Sequence, residues 1–163
     1  MNFYIVFLTA LVPLLVGFLW YNPKIFGTAW MNASGMTEEK AKGANMPLIF
    51  GLTYVLGLFL STALYPMVIH QMGVFSVLQT PDFNTPNSEA SLFFKDFYSK
   101  YGSNFRTFKH GVFHGVLGGL FIGLPIIAVN ALFERKGFKY IAINVGYWVI
   151  SMAIMGGIIC QWA

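Results

Sequence analysis

The sequence contains little charge. Asp, Glu, Lys and Arg make up 10% of its 163 residues, against roughly a quarter in ordinary soluble domains, while hydrophobic residues make up 56%. No charged residue lies in the interior of the four long apolar runs of the chain. A soluble fold would have too little polar surface. The net charge of +4 is carried between the runs, which suits a membrane surface better than nucleic acid, so we expect no nucleic-acid partner.

Redox and catalytic signatures are also missing. Because the chain has one cysteine, Cys160, no disulfide can form within it. The sequence has no GxSxG, no HExxH, no phosphate-binding loop and no paired carboxylates within an apolar run, which argues against an enzyme. Proton-driven transporters usually keep an ionisable residue deep in a span, and here only His114 lies even one turn inside. Proton antiport is therefore disfavoured.

Four apolar runs are long enough to cross about 30 Å of hydrocarbon as helices. They cover residues 3–21, 47–70, 110–133 and 138–162. In the long second connection, residues 88–101 place aromatic side chains on one helical face and charged side chains on the other. The predicted fold is all-α and integral to the membrane: one domain, residues 1–163, with four transmembrane helices in a bundle and an amphipathic interfacial helix in the second loop.

The basic residues predict an orientation. Six of them lie in the first and third loops and four in the second, so the positive-inside rule places the first and third loops in the cytoplasm and both termini outside. The first apolar run lacks the positive flank and the cleavage site of a signal peptide. We therefore expect it to be retained as the first span.

The third run carries a glycine at every fourth position. The four glycines are Gly111, Gly115, Gly119 and Gly123. On a helix they form a groove without side chains, which another helix can approach closely. The small residues Thr53, Gly57 and Ser61 of the second run form a ridge that is one plausible partner within the chain. The fourth run has small faces too, and a second copy of the chain could also fill the groove; the pattern favours a homo-oligomer.

The three histidines, His70, His110 and His114, flank the second loop. Four antiparallel spans place all three at the same side of the membrane, whichever way the chain is oriented. Neutral imidazole is a common ligand for zinc, copper or haem iron, and two histidines four residues apart can reach one ion from a single helix. The alternative is that these are interfacial side chains that hydrogen-bond between helices or to phospholipid. HxxxH alone does not decide between the two, so the cofactor stays unknown.

A second group of polar and aromatic side chains is expected at the opposite side. It comprises Trp20, Tyr21, Trp30, Asn130, Glu134 and Arg135. One interpretation is that the aromatic residues are interfacial anchors while Glu134 and Arg135 hold the third loop against the first. The other is a pocket for a small molecule or a lipid headgroup.

Several motifs together resemble a known family. They are Trp20-Tyr21-Asn22-Pro23-x-x-Phe26-Gly27-x-x-Trp30, Lys109-His110-Gly111-x-x-His114-Gly115, Asn130-Ala131-Leu132-Phe133-Glu134, and the segment from Gly146-Tyr147-Trp148 to Trp162. In this order they resemble the bacterial membrane proteins grouped as domain of unknown function 1761, in the version found in Bacteroidetes. The resemblance implies a small four-span protein of the bacterial inner membrane. It implies no activity and no catalytic residue.

Three functions are compatible with these features. The first is binding or transport of a small or lipid-like molecule in a cavity between the helices near Tyr54, His114 and Tyr147. The second is a structural or accessory subunit that assembles through glycine-rich helix packing. The third, which the sequence favours least, is a membrane enzyme that uses metal or haem at the histidines. The lipid bilayer is the expected partner in each case.

Overall fold

The computed structural model describes residues 2–163, and these residues form helices with no strand. In chain order the α-helices are α1 Tyr4–Thr9, α2 Val12–Trp20, α3 Thr28–Ser34, α4 Glu38–Lys42, α5 Met46–Val68, α6 Gln71–Val77, α7 Glu89–Tyr101, α8 Phe108–Gly118, α9 Leu124–Phe133 and α10 Phe138–Trp162. Two short π-helical segments complete the chain: π1 is Pro23–Gly27, and π2, Gly119–Gly123, joins α8 to α9.

Three helical stretches are long and apolar enough to cross a membrane. They are Met46–Val68, Phe108–Phe133 and Phe138–Trp162. A fourth results if Tyr4–Trp20 and Pro23–Ser34, which meet at 58°, count as one broken span. The outward faces of these helices are aromatic and aliphatic, as at Phe59, which is 68% exposed, and Phe121, which is 74% exposed. Within the first apolar run, Ala10 and Leu11 separate α1 from α2, and the bend of 58° follows the run.

Helix α10 lies at the centre of the molecule. Of its most apolar 18 residues 56% are buried, against 22% for α5 and 17% for the stretch from α8 to α9. Its buried side chains Met155 and Ile159 pack with Leu64 and Val68 of α5 and Val12 of α2. The other long helices therefore surround α10 and expose their remaining faces.

The glycines of α8 pack against α10 within the same chain. A Cβ added at Gly111 would overlap the Gly156 carbonyl, and one added at Gly115 would overlap the Met152 carbonyl. A Cβ at Gly119 would lie 2.7 Å from the Cα of Val149, whereas at Gly123 the nearest atom is the Gly118 carbonyl oxygen of the same stretch, at 4.0 Å. Backbone-to-backbone contact thus covers three of the four glycines and ends before the last.

Of the partners that the sequence leaves open for this groove, the fourth run fills it and the small-residue ridge of α5 does not. A Cβ at Gly57 would lie 2.5 Å from the carbonyl oxygen of Ala10, and the hydroxyl of Ser61 lies 3.0 Å from that of Thr9. The ridge therefore packs on the first helix pair. Both the second and the fourth run present small residues that could pack against the glycine groove. The spacing of small residues along one helix does not show which of these two runs packs there.

The second connection holds more structure than the sequence predicts. Helix α6 directly follows α5, and residues 79–88 form turns before α7 begins at its N-cap Ser88. The rings of Phe75, Phe83 and Phe94 contact one another with centroids 5.5–5.8 Å apart, so they join α6, the turns and α7. Gln71 adds hydrogen bonds from its amide nitrogen to the carbonyls of residues 101 and 104.

Candidate functional site

The three histidines lie where α5 ends and α8 begins. Helix α5 ends at Val68 and Ile69 adopts an extended conformation, so His70 occupies the corner and serves as the N-cap of α6. On the other side of the loop, the hydroxyl of Thr107 accepts a hydrogen bond from the backbone N–H of His110 at 3.3 Å. This cap fixes the start of α8 and places His110 in its first turn, with His114 one turn later.

The three imidazole rings form one cluster. Their centroids are separated by 4.9 Å for His70 and His110, 4.7 Å for His70 and His114, and 4.5 Å for His110 and His114. One ligand nitrogen from each ring can be chosen so that all three lie within 4.8 Å of one another. The Nε2 atom of His110 is buried and has no hydrogen-bond partner. The structure therefore brings together all three histidines that the sequence analysis singled out.

This arrangement is close to the dimensions of a metal site. Since the three ring nitrogens are no more than 4.8 Å apart, a point between them lies within roughly 2.8 Å of each nitrogen. A zinc–imidazole bond is about 2.0–2.1 Å long. Each ring would have to move inward by less than about 1 Å to bind a common ion. Rotation about the side-chain bonds can supply such a shift.

The surroundings of the cluster are aromatic on one side and open on the other. The ring of Phe105 lies 5.3 Å from that of His110, and the ring of Phe113 lies 5.4 Å from that of His114. His70 is exposed, while His110 and His114 are half-buried. A ligand can thus reach the cluster from the loop side.

Cys160 lies at the same end of the molecule and is fully buried, but it is not part of the cluster. Its sulfur lies 3.3 Å from the carbonyl oxygens of Val68 and Phe105, so it links the end of α5 to the segment before α8. Arg106 secures the same segment, because its Nε donates to the Cys160 carbonyl at 2.7 Å and its Nη2 donates to the Ala163 carbonyl. The sequence analysis missed Arg106. Its only signal was a basic residue placed just before an apolar helix.

At the opposite end, aromatic residues form a corner after α2. The indole of Trp20 donates to the Ile143 carbonyl at 3.0 Å and its ring packs on Phe26 at 4.4 Å. The hydroxyl of Tyr21 donates to Oδ1 of Asn144 at 3.0 Å, and its ring contacts Trp30 at 5.4 Å. The predicted aromatic residues of this end therefore attach the first helix pair to α10.

A polar cleft lies beside that corner, between α9 and α10. It has a volume of about 230 Å³ and is lined by Ile127, Asn130, Ala131, Glu134, Tyr140, Asn144 and Trp148. The predicted group thus divides in two: Asn130 and Glu134 line the cleft, while the tryptophans and Tyr21 form the corner. Asn144 connects the halves, since it lines the cleft and accepts the hydrogen bond of Tyr21.

The expected tie between the third and first loops is made by a different residue. Lys136, and not Glu134 or Arg135, donates to the carbonyl of Ser34 at the end of α3. Arg135 adopts a left-handed conformation, with φ of 56°, at the turn between α9 and α10. This turn directs the next side chain towards α3, which the sequence could not show.

The cavity expected near Tyr54, His114 and Tyr147 is not supported. The hydroxyl of Tyr147 donates to the Pro13 carbonyl at 2.9 Å, and that of Tyr54 donates to the Phe7 carbonyl at 3.4 Å, while His114 contacts the other histidines. The polar cleft by Asn130 and a cavity lined by Val129, Leu132 and Phe133 both lie at the far end of the molecule, by α9. Tyr54, His114 and Tyr147 therefore each contact a different part of the protein.

Comparison with known proteins gives one match. The model of a family described as "Protein of unknown function (DUF1761)" matches residues 4–160, nearly the whole chain. No curated protein and no solved structure matches.

Proposed function

The chain belongs to the DUF1761 family, whose description names no activity, and from the geometry of its own residues we propose that it is a four-span membrane protein that binds one transition-metal ion at His70, His110 and His114. The membrane is the inner membrane of a bacterium.

The exposed surface supports membrane integration. Large apolar side chains such as Phe18, Phe59 and Phe133 are 77%, 68% and 87% exposed. In water this surface would cause aggregation, whereas in a bilayer it contacts lipid chains. In this arrangement the first span consists of α1, α2 and the aromatic corner that follows α2, whereas α3 lies at the membrane surface. Helix α7 has no buried residue and keeps an aromatic face, as expected of a helix that rests on the interface.

The observation that carries the metal site is the convergence of three ring nitrogens in a cluster where the Nε2 of His110 is buried and has no partner. A buried polar atom without a partner costs about 1–3 kcal/mol, so the Nε2 of His110 is costly unless something binds it. A metal ion accepts the lone pairs of all three rings at once.

The donor set indicates the class of ion. Three imidazoles without a thiolate or carboxylate suit zinc, copper(II) or nickel, and not magnesium or calcium, which prefer oxygen. Haem iron takes axial ligands from at most two side chains, so a triangle of three rings fits a single ion better. Three protein ligands also leave one position for water or an exchangeable ligand. The open side at His70 gives access to that position.

The test is a metal titration in a lipid nanodisc. The protein carries a tag without histidine, is stripped with a chelator, and is titrated with Zn²⁺ or Cu²⁺ against a chromophoric competitor. We expect one ion per chain. His110→Ala and His114→Ala should each weaken binding at least tenfold, because even the loss of a group that only supports a ligand costs about 10–100-fold.

Lys109→Ala is the matched control. Lys109 is an exposed neighbour of His110 in the same helical turn, and its replacement should leave the affinity unchanged. Thermal unfolding of each variant confirms that the fold is intact. Equal affinity in wild type and in the double variant His110→Ala, His114→Ala would overturn the proposal, as would the absence of stoichiometric binding by the wild type.

A further inference from the structure

We infer that the cleft between α9 and α10 binds a primary ammonium group, and that its source is the headgroup of a membrane phospholipid. This inference rests on a different end of the molecule from the histidines and does not depend on metal binding.

The cleft lies beyond the glycines that pack closely on α10. Gly111, Gly115 and Gly119 hold the first half of the third long helix against α10, and after Gly119 the close contact ends. The stretch then passes through π2 into α9, whose side chains are larger. The cleft lies between this stretch of larger side chains and α10, just before the short turn that joins the two helices.

The lining of the cleft is suited to a cation. Glu134 is its only charged residue. Among residues 2–163 the single ion pair joins Lys100 to Asp96, so the Glu134 carboxylate has no cationic partner there. The nearby Lys136 is directed to the Ser34 carbonyl. A carboxylate without a counter-charge at the edge of the bilayer favours binding of a positive group.

The remaining side chains complete a site for an ammonium group. Trp148 lines the cleft with an aromatic ring, and aromatic faces attract cations, whereas the ring of Tyr140 already has the Nζ of Lys136 5.8 Å from its centroid. Asn130 lies one helical turn before Glu134 on the same face of α9, and among the described residues its side-chain amide makes no hydrogen bond. Its oxygen can accept from an ammonium N–H. A primary ammonium has three such donors, which match a carboxylate and an amide oxygen at neighbouring positions.

Size and surroundings favour a lipid over a free amine. A volume of about 230 Å³ is several times the ~30 Å³ that one water molecule occupies in the liquid, so an ethanolamine-sized group fits. Towards the middle of the same long helix, the α9 side of the cleft continues with Ile127, which also lines it, and Leu124, which is 37% exposed. A polar cleft that continues into an apolar helix face fits a molecule with a cationic head and a hydrocarbon chain.

The experiment measures lipid retention by native mass spectrometry. The full-length protein is released from nanodiscs that contain equal amounts of phosphatidylethanolamine and phosphatidylglycerol. We expect the wild type to retain phosphatidylethanolamine preferentially, and Glu134→Gln, which keeps the shape and removes the charge, to lower this preference about tenfold or more, as hydrogen bonds to charged groups imply. Glu89→Gln, on exposed α7, is the control and should retain the wild-type preference.

Free ethanolamine at millimolar concentration distinguishes the two sources. If it leaves the retained lipid in place, the lipid headgroup is the ligand. If it displaces the lipid in wild type and binds Glu134→Gln more weakly, the site recognises the ammonium group but takes it from a soluble amine, and the lipid assignment is wrong. Equal retention of both lipids by the wild type, or an unchanged preference in Glu134→Gln, would overturn the inference. A failed metal titration would leave these outcomes unaffected.

Discussion

Gly27 occupies the tightest position of the aromatic corner. Asn22 caps the start of π1 by accepting the N–H of Lys24 at 2.9 Å, and its carbonyl accepts the N–H groups of Ile25 and Gly27 at 2.9 Å each. A Cβ at Gly27 would overlap the Tyr21 carbonyl. The motif from Trp20 to Trp30 is therefore a structural unit that turns the chain away from the axis of α2.

Replacing Gly27 by alanine should destabilise the protein by about 1–3 kcal/mol, because the corner has to open to admit the methyl group. Unfolding in mixed detergent micelles, followed by circular dichroism, measures the difference. Gly51→Ala is the control: nothing lies within 4 Å of a Cβ at that position of α5, so the free energy of unfolding should stay constant or rise slightly. Equal loss in both variants would show that the corner is not the cause.

At the scale of the elements, the contact between α8 and α10 depends on missing side chains. Gly115 faces the Met152 carbonyl with no space for a methyl group, while Gly123 lies beyond the contact. Membrane helices gain stability from such close approach, because lipid offers no hydrophobic driving force for their association.

Gly115→Ala should therefore weaken the packing of α8 on α10 and lower the free energy of unfolding by about 1–3 kcal/mol. Gly123→Ala should change it by less than about 1 kcal/mol, since the added methyl meets only its own helix, at 4.0 Å. The measurement is the same unfolding experiment. A larger effect at Gly123 would indicate that another chain contacts this position, and would support the homo-oligomer, which stays a prediction.

For the whole molecule, the number of spans is the property to test. Four spans place residue 2 on the same side as the second loop, whereas three spans place it with the first loop. The bend of 58° at the corner leaves both arrangements open by length and composition. The tie from Lys136 to Ser34 places the first and third loops on one side in either case.

Cysteine labelling in spheroplasts decides between them. In a Cys160→Ala background, Asn2→Cys and Ser99→Cys should react with an impermeant maleimide from outside, while Ala41→Cys and Gly137→Cys should react only after the membrane is disrupted. All four positions are exposed. Labelling of Asn2→Cys together with Ala41→Cys would contradict the fourth span, and the reverse pattern for all four would invert the predicted orientation.

The histidine cluster could be predicted from the sequence, whereas the polar cleft could be predicted only in part. Because consecutive spans run in opposite directions, the positions of the three histidines in the sequence placed them at one end of the bundle. The structure brings one ring nitrogen of each within 4.8 Å of the others. The polar cleft was not found as a unit, although Asn130 and Glu134 on one helix, and Tyr140, Asn144 and Trp148 on the next, recur at intervals of four residues. Such spacing shows which side chains share a face, but not that two such faces leave a cavity between them.

The sequence by itself determined the helical class, the long apolar segments and the close-packing face of α8, because charge content, run length and glycine spacing are local properties of the chain. The tertiary structure decided which helix fills that face, that α10 and not the glycine-rich helix is central, and that Lys136 rather than Glu134 ties the loops. These choices depend on the relative rotation and tilt of whole helices. Several local patterns satisfy the same packing rule, and only the assembled core distinguishes them.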